Sequence, residues 1–169
     1  MNRFAFFLLL GCCAWAAPVR AADGADDPLQ GSVLAQRLRE LFGVHAEAQR
    51  YDPRMVRAAE IAAERAGAVT RPRWHCWRSV KDALLEAGVV STRPVSPWAK
   101  QAGDELCTRY GFTKISLRNP FLAPVGAVIV YGGPDAGHVE LRTASGFVSD
   151  FCSPTPYPRP LIGIYIKPS

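Results

Sequence analysis

Residues 125–131 form a continuous apolar run with β-branched side chains, which predicts a buried strand. The turn residues Gly132, Gly133, Pro134 and Asp135 follow it, then an alternating segment over 138–142 that reads as a second strand. Ala144, Ser145 and Gly146 make another turn into a strand over 147–151. A proline-rich stretch from Pro154 to Pro160 leads to a last strand over 161–166. Before Gly111 the periodicity is helical. Helices are predicted over 32–41, 52–66 and 76–87, closed by Gly43, Gly67 and Gly88. Asp52 and Pro53 suit the start of the second, whose Met55, Ala58, Ala59, Ala62 and Ala66 make a small-residue face. Trp77, Val80, Leu84 and Ala87 give the third its apolar face, with Lys81, Asp82 and Glu86 elsewhere. Residues 94–103 read as a loop or short helix, and 105–110 as another helix. Helices first and an antiparallel meander second predict an α+β domain.

The N-terminus reads as an export signal. Arg3 supplies a positive start, residues 4–10 an apolar core, and Val19, Arg20 and Ala21 a cleavage site. The apolar stretch is too short to span a bilayer, which takes about 20 residues. A lipoprotein signal with Cys12 as the lipidated residue is the rival reading. The expected organisation is therefore a signal over 1–21, an N-terminal helical extension over 22–70 with a mobile lead-in to 31, and a catalytic domain over 71–169. Removing the signal takes Arg3 and Arg20 from 20 basic residues set against 15 acidic ones, leaving +3. So mild a bias suits an anionic partner such as cell-wall polymer and does not argue for nucleic acid. The predicted location is the periplasm or the exterior, with no integral membrane segment once the signal is cut.

Cys12 and Cys13 leave with the signal, so the mature chain keeps Cys76, Cys107 and Cys152. An odd count in an exported chain suggests one free thiol. The economical assignment joins Cys107 to Cys152, worth about 2–4 kcal/mol if unstrained, and leaves Cys76 reactive. Three unpaired thiols are the other reading.

Cys76 heads a predicted helix, where the macrodipole and free N–H groups stabilise a thiolate and a developing oxyanion. No Ser, Thr, Asp or Asn directly precedes it as a cap; His75 stands there, more suited to an exposed cap position than to base work. Gly137 and His138 open a strand, and Gly137 lets a backbone or substrate come close. Asp150 lies on the return strand at an even separation from His138. Even register would put both on one face, where an acid could orient the imidazole. Glu140, on the face of His138 in its own strand, is the reserve candidate.

A helix-start cysteine, a Gly-His strand and an acid on the next strand resemble the NlpC-type and CHAP-type cysteine peptidases of the papain-like class. Residues 76–80 are similar to their nucleophile helix, and 124–130 to the strand before the histidine. Gly137, His138 and Asp150 are similar to amidase variants with aspartate third. The likeness covers about residues 71–167; His75 departs from the usual Asp or Asn before the nucleophile, and many members carry His or Asn where Asp150 stands. It implies a papain-like fold and peptide-bond hydrolysis in peptidoglycan, often between D-glutamate and the diamino acid. Cys76 would attack the amide carbon and His138 would shuttle the proton, with no cofactor or metal. The substrate would be peptidoglycan or a muropeptide, and an inhibitor or immunity protein would be a partner of unknown identity.

Two rivals share the residue order or the composition. A transglutaminase-like acyltransferase also runs cysteine, histidine, aspartate, and only an acyl-acceptor assay separates it. A non-catalytic, disulfide-stabilised cell-wall-binding protein would carry Cys76 in a disulfide. A zinc site from Cys76, His138 and a third ligand lacks any paired Cys or His spacing. Trp77 reads as core, whereas Trp74 and Trp98 could line a groove.

Overall fold

Local chemistry accounts for each helix in the computed structural model, which describes residues 51–169. The predicted signal, lead-in and helix over 32–41 lie outside the described residues. Helix α1 (Arg54–Ala66) starts one residue past Pro53. Asp52 accepts from the Arg54 N–H at 3.0 Å and so satisfies an orphan donor of the first turn. Helix α2 (Cys76–Glu86) begins after His75, and α3 (Ala102–Tyr110) after a 3₁₀ turn at Ala99–Gln101. The six strands are β1 (Thr113–Ile115), β2 (Val128–Tyr131), β3 (His138–Arg142), β4 (Phe147–Val148), β5 (Cys152–Ser153) and β6 (Leu161–Ile166).

The strands form one antiparallel sheet in the order β1-β6-β2-β3-β4-β5. This is the predicted α+β architecture. The apolar run supplies β2, which sits between β6 and β3 with all four residues buried. Position in the sheet explains its lack of alternation, because both faces are covered. Strand β3 is predicted to alternate, yet His138, Val139, Glu140 and Leu141 are all buried. A histidine and a glutamate are thereby drawn into the interior, where they must find partners.

Helices α1 and α2 pack on each other and on β3, while α3 packs on β1, β2 and β6. The small face of α1 is buried as expected, with Ala58, Ala59 and Ala62 at most 1% exposed. Residues 51–70, expected in an extension, therefore share the core of the residues that follow. Their helix is a wall behind the cysteine helix.

The predicted Cys107–Cys152 disulfide is not formed; Cys76, Cys107 and Cys152 are all free thiols. Cys107 lies on α3, over the β1, β6 and β2 end of the sheet, and Cys152 lies in β5 at the opposite edge. Three strand spacings from β2 to β5 amount to about 14 Å. A disulfide needs Cα atoms within roughly 7 Å.

Gly137 is where backbone freedom matters most. Its φ is +75°, and an added Cβ would stand 2.5 Å from the Tyr131 carbonyl and 2.8 Å from the Lys100 Cβ. The close approach is to backbone, held also by the Lys100 N–H donating to the Ala136 carbonyl at 2.9 Å. Gly137→Ala is expected to cost about 1–3 kcal/mol in urea unfolding and to displace the neighbouring His138.

Candidate active site

Three segments from distant parts of the chain meet at the start of α2. The first is the turn 73–75, in which Trp74 adopts φ +66°, rare for a residue other than glycine. Asp150 holds this turn from across the molecule. One of its carboxylate oxygens accepts from the Arg73 N–H at 2.8 Å and the His75 N–H at 2.9 Å, bracketing Trp74. Asp150 thus fixes the turn that leads into α2 without capping the helix itself. His75 is the N-cap residue and is exposed, as expected, while α2 itself has no side-chain cap. The first N–H groups of α2, including that of Cys76, therefore face the open end of the helix.

The second segment is the start of β3. His138 is 5% exposed, and its imidazole lies beside the Cys76 thiol, which favours its charged form. On the other side, its Nε2 lies 3.6 Å from Glu140 Oε2, just beyond a hydrogen bond. Glu140 is 2% exposed and is satisfied elsewhere: its Oε1 accepts from the Tyr131 hydroxyl at 2.6 Å and the Tyr157 N–H at 3.3 Å. Burial and the Glu140 carboxylate push the Tyr131 phenol above its ordinary range, so it stays a donor. The third segment is the proline-rich stretch, which lays the Tyr157 ring on the imidazole at 3.9 Å between centroids and 20° between planes.

Asp150 does not take the place beside His138 predicted for it. Leu141 pairs with Val148 and Arg142 with Phe147. The strand stops there, because Val148 also pairs with Cys152 of β5, so residues 149–151 turn back before reaching the level of His138, and the Phe151 ring lies 6.0 Å from the imidazole. The acid beside the imidazole is Glu140, the reserve candidate.

Burial alone would lower the pKa of His138. The Cys76 thiol and the Glu140 carboxylate on either side of the ring more than offset it and hold the imidazole up at about 9. The folded state then binds this proton more tightly than the unfolded chain, whose histidine titrates near 6.5. The resulting stability is complete below about pH 6.5 and is lost as pH rises through about 9. Urea unfolding is expected to show that decline, and a His138→Gln variant is expected to lack it.

The Cys76 side of the site opens into a cleft of about 570 Å³ lined by Trp74, Cys76, Trp77, Arg78, Lys81 and Arg93, among others. A second lobe of about 250 Å³ shares His75, Arg78 and Asp82 with it and reaches Arg73 and Asp150. Trp77 is core on one side, 4% exposed, with its indole N–H donating to Ser96. Trp74 is 81% exposed at the mouth. Lys81, predicted on the polar face of its helix, is buried and donates to the Ser96 carbonyl at 2.5 Å.

Nothing local in the sequence singles out Tyr131 or Tyr157. Tyr131 ends the apolar run directly opposite His138 in the β2–β3 pairing, which is a signal only once the register is known. Tyr157 had none. Among the described residues, no helix is long and apolar enough to cross a membrane.

The chain is thus an α+β domain with a cysteine at a helix start and a buried histidine on the adjacent strand. The chain is similar in structure to a chain of the crystal structure of the type VI native effector–immunity complex Tae3–Tai3 from Ralstonia pickettii. The TM-score is 0.55 at 23% identity, over 68% of this chain and 98% of that chain. This likeness is one of fold. No protein-family profile and no curated protein sequence matches the chain.

Proposed function

We propose that this protein is a cysteine hydrolase that cleaves amide bonds in peptidoglycan stem peptides. The observation that carries the reading is the His138 imidazole, buried between the Glu140 carboxylate and the thiol of Cys76, which lines an open cleft. With Nε2 turned to Glu140, Nδ1 is left for the thiol. An imidazole held protonated up to about 9 favours a thiolate beside it. The thiolate attacks the amide carbon, and the Cys76 N–H at the open helix end helps to hold the oxyanion. His138 then gives its proton to the leaving amine, and the acyl-enzyme remains. Water attacks the thioester as His138 takes its proton, and the Cys76 thiolate leaves, which restores the starting pair with the imidazolium.

Glu140 is the orienting acid in this scheme, locked by Tyr131 and Tyr157, while Asp150 positions the turn that carries the nucleophile. The free Cys76 thiol favours catalysis over the disulfide-stabilised binding protein. Peptidoglycan is supported by the NlpC-type and CHAP-type pattern around Cys76 and His138, and a substrate of that kind supports a location outside the cytoplasm. Likeness to a chain from an effector–immunity complex supports use against another cell's wall, with an immunity protein as partner.

The test is incubation of the mature protein with purified peptidoglycan and mass spectrometry of the soluble products. New stem-peptide fragments with a free amine and a free carboxyl are expected, and they name the bond. Intact peptidoglycan, with transfer to an added amine acceptor, would replace hydrolysis by the transferase chemistry.

A further inference from the structure

The charges around Cys76 do not cancel. Two acids lie in the cleft and both are engaged. Asp82 accepts from the Arg93 Nε at 2.6 Å, and Asp150 accepts from two backbone N–H groups and the Ser149 hydroxyl. Three cations are left over. Arg73 and Arg78 make no side-chain hydrogen bond or ion pair among the described residues, and Arg78 lines both lobes. Lys81 is only 6% exposed, and the acceptor of its ammonium is a neutral carbonyl. Glu105 cannot neutralise it by contact, since its carboxylate accepts from the Val95 and Ser96 N–H groups and from Arg109. Keeping a buried ammonium without a carboxylate partner costs free energy unless something else compensates it.

An anion in the cleft supplies that compensation, and the proposed reaction brings one. Stem peptides carry free carboxylates along their backbone and side chains, which are converted to carboxamides in amidated walls. A guanidinium presents two parallel N–H donors to a carboxylate, a fit that a carboxamide cannot reproduce. We propose that the cleft beside Cys76 binds a free carboxylate of the substrate peptide, with Arg78 as its direct partner and Lys81 reinforcing it from the wall. The site then selects acidic stem peptides over amidated ones. This inference rests on the peptidoglycan reading above and adds the charge of the substrate to it.

The test separates binding from cleavage. Two synthetic stem peptides, identical except that one has its carboxylates converted to carboxamides, are titrated by calorimetry into the Cys76→Ala variant. The acidic peptide is expected to bind roughly 10- to 100-fold tighter, the worth of a charged hydrogen-bond pair. Adding Arg78→Gln, a change at an exposed side chain, is expected to remove most of that difference. Equal affinities, no binding of either peptide, or a preference that survives Arg78→Gln would overturn the carboxylate site. The wild type is then given the same two peptides. Cleavage of both at one rate would overturn the site and keep the hydrolase. A preference in binding with no cleavage of either would keep the site and overturn the hydrolase.

Discussion

Cys76→Ala is expected to lower the rate of peptidoglycan hydrolysis by about 10⁴-fold or more, because the substitution removes the thiol that forms the acyl-enzyme beside His138. The fold should survive. Cys76 is only partly buried at a helix start, and alanine suits that position, so the stability change should stay within about 1 kcal/mol. Alkylation offers a second readout on the wild type. Burial pushes the thiols of Cys107 and Cys152 above their ordinary range. Iodoacetamide should therefore modify Cys76 first, and loss of activity should follow that single adduct. Full activity in Cys76→Ala, or inactivation that tracks Cys107 or Cys152, would remove Cys76 from the mechanism.

The second large effect ranks two acids. Glu140→Gln keeps the shape of the site but removes the charge facing Nε2, and is expected to cost about 10²-fold or more in kcat. It should also lower the alkaline limit of the pH–rate profile below the value of about 9 set by His138, since Glu140 contributes to holding that proton. Asp150→Asn should be milder, roughly 10-fold or less, because the amide oxygen still accepts from the Arg73 or His75 N–H. Its alkaline limit should stay where it is in the wild type. Asp150→Ala frees both N–H groups and should lower stability by about 2–3 kcal/mol. An Asp150→Asn loss larger than that of Glu140→Gln, with a shifted alkaline limit, would return the orienting role to Asp150.

Asp150 also explains the conformation of Trp74. A single carboxylate oxygen gathers the N–H groups on either side of that residue, which forces the intervening backbone to positive φ and turns the indole out to solvent. The same contacts fix where α2 begins, and so where the Cys76 sulfur and the open helix end point. Strain of about 1–3 kcal/mol is tolerable there because the two charge-assisted hydrogen bonds oppose it. Such a role couples the far hairpin to the nucleophile without touching substrate.

Much of this architecture was legible in local chemistry. Pro53 and Gly67 bracket α1, the apolar run forms β2, and the segments 138–142 and 161–166 are strands with the predicted bounds. Periodicity and turn residues act within a few positions, so they can be read along the chain. Cys76 at a helix start and His138 at a strand start belong to that class. What tertiary structure alone decided was which groups meet. The chain turns back after Val148, which puts Asp150 in the β4–β5 turn on the Arg73 and His75 N–H groups and leaves Glu140 beside His138, and where a strand ends cannot be read before its partners are known. Sheet order set Cys107 and Cys152 at opposite ends and left both thiols free. Packing against the loop at Ser96 buried Lys81 despite its place on a polar helix face. Those outcomes depend on side chains from remote segments competing for the same partners, and that competition exists only once the chain has folded.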